Sequence, residues 1–138
     1  MADEIALTDA ARRALLVAAR EAAPRECAAV LGGARGARRT AVTDVLPVPN
    51  VAARDDRFEV SPESFFTAEQ ELARRGREFV GFAHSHPRGA CAPSSRDRKT
   101  LWSGCVQLIT DGEVVRAFRI DGERTVHPLP LRAAEVLP

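Results

Sequence analysis

Two of the three histidines in the chain, His84 and His86, stand one residue apart, and Asp97 follows eleven residues after the second. The run leading into them, Glu78-Phe79-Val80-Gly81-Phe82-Ala83, is apolar and aromatic and reads as a short buried strand. Residues i and i+2 of a strand share a face. Both imidazoles therefore project together from the strand's C-terminal end, while Ser85 points the other way and is assigned a structural role. Two imidazoles on one face are ready ligands for zinc, which takes histidine nitrogen at about 2.0–2.1 Å and carboxylate oxygen at about 2.0–2.2 Å. Pro87 ends the strand because it offers no N–H to a ladder. Residues 88–92 form a loop around Gly89, and Ser94 or Ser95 caps a helix running to about Trp102. Asp97 falls in the first turn of that helix, able to face back toward the histidines as a third ligand. A fourth position is then left for water, the pattern of a catalytic rather than a structural zinc site. His-x-His alone is more often a pair of solvated strand-end side chains than a ligand pair; the full string carries the inference.

The rest of the chain must place these groups. Leu7, Ala11, Ala14/Leu15, Ala18 and Ala22 recur at helical spacing, so residues 8–23 read as an amphipathic helix capped by Thr8 or Asp9 and stopped by Pro24. Glu26 leads into a small apolar strand through Cys27 and Val30 that glycines close at Gly32 and Gly33. Residues 39–47 form a second strand ended by the turn Pro47-Val48-Pro49-Asn50. Phe58-Glu59-Val60 reads as a short edge strand. Ser61-Pro62 then starts a second helix to about Arg75, with Phe65/Phe66, Ala68/Glu69 and Leu72/Ala73 setting its buried side and Gly76 at C′. Beyond the short helix, with Trp102 as its core anchor, come strands at 105–109 and 114–120 and a last one near 125–127. The turns Asp111-Gly112 and Asp121-Gly122 separate them. The order describes an α/β fold: a mixed central sheet packed by two main helices, plus the short helix at the zinc site, in one domain spanning 1–138.

Composition narrows the class. The formal net charge of +1 gives no bulk electrostatic case for nucleic acid or an anionic membrane, and no run approaches the roughly eighteen apolar residues of a membrane span. Nineteen of the twenty basic residues are arginine, Lys99 being the single lysine. Acidic residues occupy the N-terminus where a signal peptide carries positive ones. Cys27, Cys91 and Cys105 are odd in number and lack Cys-x-x-Cys spacing. A cytoplasmic location is expected. Cys91 is assigned to the loop without a role, and His127 to the surface.

The string His-Ser-His-Pro-x5-Pro-Ser-x-x-Asp resembles, position for position, the signature of the JAMM/MPN+ zinc metalloprotease family, and the chain is most similar to its compact prokaryotic branch. The resemblance runs from about Leu7 to about Val126. It implies the MPN (JAMM, cytidine-deaminase-like) fold, with Zn2+ bound by His84, His86 and Asp97. It also implies a serine, Ser94, that assists the tetrahedral intermediate, and an upstream glutamate as general base. Glu26 fits that last place, with Pro24 two residues before it and Val30-Leu31-x-Gly33 after it, although Ala28 and Ala29 stand where the family has Cys-Gly. Ser94 can be an oxyanion donor or only a helix cap. Asn50 resembles a family asparagine, and Phe58 and Ser61-Pro62 also match the small bacterial branch. The activity implied is a zinc metallopeptidase or isopeptidase acting at the C-terminus of a ubiquitin-like, sulfur-carrier-type protein, its expected partner. Two other readings follow from the same superfamily. A non-catalytic MPN-like scaffold typically loses the ligands, which are all present here. A DNA-repair-associated branch is disfavoured by the neutral charge and the lack of a separate helical DNA-binding region.

Overall fold

The computed structural model describes residues 4–134. A short strand, β1 (Glu4–Thr8), precedes the first helix, α1 (Asp9–Ala22). Thr8 is the N-cap of α1, its hydroxyl accepting the Ala11 N–H at 3.2 Å. Ala11, Leu15, Ala18 and Ala19 form its buried stripe, and the helix ends before Pro24 because a residue preceding proline is pushed out of the helical region. Strands β2 (Ala28–Arg35) and β3 (Arg39–Val48) form a hairpin. Helix α2 (Pro62–Arg74) starts at the Ser61 cap with Pro62 in its first turn. It stops at Gly76, whose φ of +71° suits a residue without Cβ. There Arg77 N–H reaches Leu72 O and Gly76 N–H reaches Ala73 O, satisfying two terminal carbonyls. Then come β4 (Glu78–Ser85), the six-residue α3 (Ser95–Thr100), β5 (Val106–Thr110), β6 (Val115–Ile120), β7 (Val126–Leu129) and β8 (Leu131–Ala134).

The eight strands form one mixed sheet in the order β7-β6-β5-β4-β2-β3-β1-β8. Only Pro130 separates β7 from β8 in sequence, yet they occupy opposite ends of that order. The sheet therefore curls until its two edges are joined through one residue, and Pro130 O accepts the Ile5 N–H at 2.8 Å. One core lies between α1 and the sheet, built on Ile5, Leu15, Leu31, Val42, Ala83 and Leu108. A smaller one under α2 holds Val30, Ala68, Leu72, Phe82 and Cys105, with Phe65 and Phe79 against it.

Five expectations are corrected. Of the residues expected on the buried side of α2, Ala68 and Leu72 are buried and Phe65 packs on the core, but Phe66 is 59% exposed and Glu69 and Ala73 also face outward. Leu7 belongs to β1, not to the helical stripe. The C-terminal strand runs to Leu129 and is followed by β8, which was not expected. Residues 58–60 form no strand; the segment is tied down by the Val51 N–H to Glu59 O bond at 3.0 Å instead. Trp102 lies beyond α3 and is 53% exposed. Its edge packs on Phe65, Phe79 and Phe82 at centroid distances of 5.0–6.0 Å, so it caps the aromatic cluster rather than anchoring a core.

The strand that carries the histidines is wedged tightly. β4 pairs antiparallel with β2 (Ala28 opposite His84) and parallel with β5 (His84 opposite Ile109). The β2 ladder skips Val80, a bulge that puts Phe79 and Phe82 on the α2 side. A Cβ on Gly81 would come within 1.9 Å of Val106 O. Backbone cannot rotate away as a side chain can, so the cost falls at the upper end of overpacking penalties, about 3 kcal/mol. Gly81→Ala should lower the melting temperature by about 10 °C. An unchanged thermal transition would contradict this close approach of β4 and β5.

Candidate functional site

β4 ends where chemistry begins. His84 is fully buried and His86 is 9% exposed, and His86 N–H still bonds Thr110 O at 2.8 Å, extending the sheet one residue past Ser85. Pro87 then releases the chain into a loop that folds back, so that Ala90 O meets His86 Nδ1 at 2.8 Å. Ser94 caps α3 in a reciprocal box: Ser94 Oγ accepts the Asp97 N–H at 3.0 Å, and Asp97 Oδ2 accepts the Ser94 N–H at 2.9 Å. The box fixes the Asp97 carboxylate, 6% exposed, against both imidazoles. The distances are 3.0 Å between the two Nε2 atoms and 3.1 Å from each to Asp97 Oδ2.

With Asp97 ionised, no set of protons makes all three contacts hydrogen bonds at once. His86 donates from Nδ1 to the Ala90 carbonyl, which in a neutral imidazole leaves a lone pair on Nε2. That lone pair faces the Asp97 oxygen and the His84 nitrogen. His84 Nδ1, in turn, is buried without a partner among the described residues. A cation shared by the three atoms would resolve the conflict. Donor atoms around a tetrahedral zinc with bonds near 2.0–2.1 Å lie about 3.3 Å apart, close to the spacing seen here.

Glu26 arrives from the other side, in the three-residue link between Pro24 and β2. It is 7% exposed, and it, His84 and His86 each bring a ligand atom within 4.8 Å of the others. These three buried residues form a group able to bind a metal. Burial, helped by Asp97 and Asp56 and opposed by His86, pushes the Glu26 carboxyl up to about 7. Burial also lowers the pKa of His84. For His86 burial acts downward too, but the Asp97 carboxylate and the Ala90 carbonyl outweigh it and raise the value. Asp97 is desolvated as well, yet hydrogen bonding to both histidines holds its carboxyl well below the usual range.

Ser94 Oγ spends a lone pair on Asp97 N–H, and its hydroxyl proton has no protein acceptor among the described residues. Glu26, His86 and Ser94 line a cleft of about 480 Å³ together with Pro24, Asp56 and Arg88. Cys91 stands outside it, its thiol donating toward the Ile109 and Val114 carbonyls at 3.7 and 3.6 Å. His127 is at the surface, as expected, but paired with Asp121 at 2.8 Å.

The contacts of three residues singled out in the sequence could not be read from it. Phe58 lies flat on His84, with ring centroids 4.2 Å apart and planes 17° from parallel. Asn50 bonds the Glu26 backbone carbonyl at 2.8 Å. Ser85, read only as structural, accepts the Cys27 N–H at 2.7 Å. Asn50 follows a Pro-x-Pro turn, the one local sign of a side chain that organises a loop.

The sequence matches the family described as prokaryotic homologs of the JAB domain over residues 8–121. The chain belongs to that family. Among curated relatives, a desampylase of Haloferax volcanii is 36% identical over 129 residues, 89% of this chain and 86% of that protein. A probable TtuB-protein conjugate cleaving protease of Thermus thermophilus is 32% identical over 97 residues, 70% of this chain and 62% of its own length. The solution structure of a Desulfitobacterium hafniense protein superposes with a TM-score of 0.87 at 28% identity, covering 96% of this chain and 94% of that one. A JAB1/MPN domain protein from Archaeoglobus fulgidus superposes at 0.59 with 19% identity, covering 94% and 99%. The curled mixed sheet with its two main helices is thus the JAB1/MPN fold. No helix among the described residues is long and apolar enough to cross a membrane.

The position of Glu26 has a thermodynamic consequence in the metal-free protein. Its folded pKa, about 7, lies above the ordinary 4.5, so the folded chain holds a proton that the unfolded chain has released. Below pH 4.5 both states are protonated and nothing is lost. Stability falls as pH rises from there and the full cost, about 3 kcal/mol at about 1.4 kcal/mol per pH unit, is present above pH 7. Glu26→Gln, neutral throughout, should exceed wild type by about that amount at about pH 8 after chelation and match it below pH 4.5. Urea unfolding at both pH values checks this; equal stability on the alkaline side would contradict the burial of the carboxylate.

Proposed function

We propose that this protein is a zinc-dependent hydrolase that cleaves an amide bond at the C-terminus of a ubiquitin-like, sulfur-carrier-type protein, with His84, His86 and Asp97 as metal ligands and Glu26 as general base. The observation that carries the proposal is the proton-frustrated triangle of His84, His86 and Asp97 with a raised-pKa carboxyl standing just beyond it. The desampylase and the conjugate cleaving protease among its relatives support the choice of substrate class.

When bound, zinc supplies Lewis acidity, which polarises the scissile carbonyl and acidifies a water. The remaining work falls to the chain's own groups. Glu26 accepts the proton of the attacking water and passes it to the leaving amine; a carboxyl raised toward neutrality suits both halves of that transfer. Ser94 turns its uncommitted hydroxyl proton toward the developing oxyanion while its oxygen continues to cap α3. The capping box keeps Asp97 ionised and correctly turned. Phe58 shields His84 from water, which strengthens the electrostatic interactions inside.

Asp97→Ala should lose most of the zinc, read as metal content after purification. Glu26→Gln should keep zinc and fold while losing roughly 10²–10⁴-fold in turnover. Zinc retained in full by Asp97→Ala removes that residue from the ligand set, and a Glu26→Gln variant within a few-fold of wild type removes Glu26 as base.

The geometry also constrains the substrate tail. His84, His86 and Asp97 are almost wholly buried, so only slender backbone can bring a carbonyl to them. Glycines, lacking Cβ, permit that approach. A tail added alongside residues 58–60 would bond Phe58 and Val60, because Asn50 and Val51 already take the N–H and C=O of Glu59. Replacing the carrier's penultimate glycine by a bulky residue should suppress cleavage far more than changes on its globular face. Comparable cleavage of both carriers, or of unrelated unstructured peptides, would leave a general zinc peptidase.

A further inference from the structure

The peptide unit joining Glu26 to Cys27 is held at both ends by side chains. Asn50 Nδ2 donates to the Glu26 carbonyl at 2.8 Å. The adjoining Cys27 N–H donates to Ser85 Oγ at 2.7 Å, in a buried position. Residues 26 and 27 precede β2, which begins at Ala28, so side chains provide this double grip. A peptide unit is planar. Pinning its oxygen and its N–H together fixes its rotation about the chain, and with it the direction in which the Glu26 Cα–Cβ bond leaves the backbone.

The two grips come from the two halves of the site. Ser85 lies between His84 and His86 and faces away from them. Its backbone N–H also bonds Cys27 O at 3.3 Å, so the base segment is registered on the metal strand itself. Asn50 belongs to the loop on the other side, and its carboxamide is fully used. Besides Glu26 O, Nδ2 reaches Arg57 O at 2.8 Å, while Oδ1 accepts Ala52 N–H and Glu59 N–H at 3.0 Å each. Arg57 and Glu59 flank Phe58, the ring stacked on His84. One amide thus locks the base segment and the shield over His84 into a single unit.

We propose that Asn50 and Ser85 are positioning residues that aim Glu26, acting through the Glu26–Cys27 peptide and not through substrate or metal; the proposal rests on Glu26 being the general base. A displacement of the base of about 1 Å costs on the order of a hundredfold in rate, which is the scale on which loss of either grip should register.

The test uses the full zinc-loaded chain and a ubiquitin-like carrier ending in Gly-Gly extended by a short peptide. Asn50→Ala and Ser85→Ala are each made alone and in a Glu26→Gln background. Each single change should lower kcat roughly ten- to a hundredfold, with KM and zinc content within about twofold of wild type. In the Glu26→Gln background the same changes should cost less than about threefold, because no base remains to be aimed. Cys27 amide exchange should accelerate in Ser85→Ala. If Asn50→Ala does not fold, Ser85→Ala carries the test, since it deletes one oxygen and leaves the Asn50 loop alone. Equal losses in both backgrounds, or a kcat for Ser85→Ala within about twofold of wild type, would overturn the proposal. A Glu26→Gln enzyme that retains wild-type turnover would overturn the base assignment instead, whichever way the clamp variants behave.

Discussion

Three lone-pair-bearing atoms, two histidine nitrogens and one carboxylate oxygen, lie within 3.1 Å of one another where little water reaches them. That crowding is the constraint the rest of the structure serves. Left to themselves the groups would separate or take up protons, so each is held from behind. His86 is tethered through Nδ1 to a loop carbonyl, Asp97 is fixed by a capping box, and His84 is covered by Phe58. The box does more than start a short helix: the oxygen that accepts the Ser94 N–H is the one that touches both imidazoles. Helix capping and site assembly are the same set of bonds.

Sheet pairing sets the larger distances. β2 and β4 are neighbours in the sheet and antiparallel, so the start of one lies beside the end of the other, and Ala28 faces His84. Glu26, just before β2, consequently meets the histidines just as β4 ends, although a long stretch of chain separates them. β5, parallel to β4 on its other side, closes the flank and carries the strand past Ser85 through the Thr110 carbonyl. Gly81 lets β4 and β5 come together tightly enough for that pairing. Packing on both faces of the sheet makes the platform rigid. α1 covers one side with aliphatic residues and α2 the other with aromatic ones, so the strand ends cannot yield to the electrostatic strain they hold.

Much of this was legible in the sequence because its signals are local. Two histidines at strand spacing, a proline after them, and a serine three residues before an aspartate each have a fixed geometric meaning. Ser61-Pro62 and Gly76 marked the ends of α2 for the same reason. What stayed hidden depends on distant partners. β1 is five residues long and pairs in parallel with β3 and β8, so no turn announces it, and Leu7 fits a helical stripe equally well. Pro130 resembles a terminator, yet it is the kink through which one stretch of chain serves both edges of a curled sheet. Residues 58–60 have strand-like composition, but Asn50 gathers their loop inward and turns Phe58 onto His84. Trp102 has the composition of a core residue and lies at the rim, because three phenylalanines already fill the space beneath it.

The same physics links the site to folding. Glu26, His84, His86 and Asp97 are buried with charges and lone pairs that oppose one another, and each is costly to desolvate without a cation. A metal bound by the folded arrangement and not by the unfolded chain adds its binding free energy to stability. The core must therefore hold a site that, empty, works against it. The sheet meets that demand by placing β4, which carries both histidines, in the interior of the ladder with a hydrogen-bonded neighbour on each side. Interior strands open least readily. The fold thus places its most frustrated residues at the end of one of its best-supported strands.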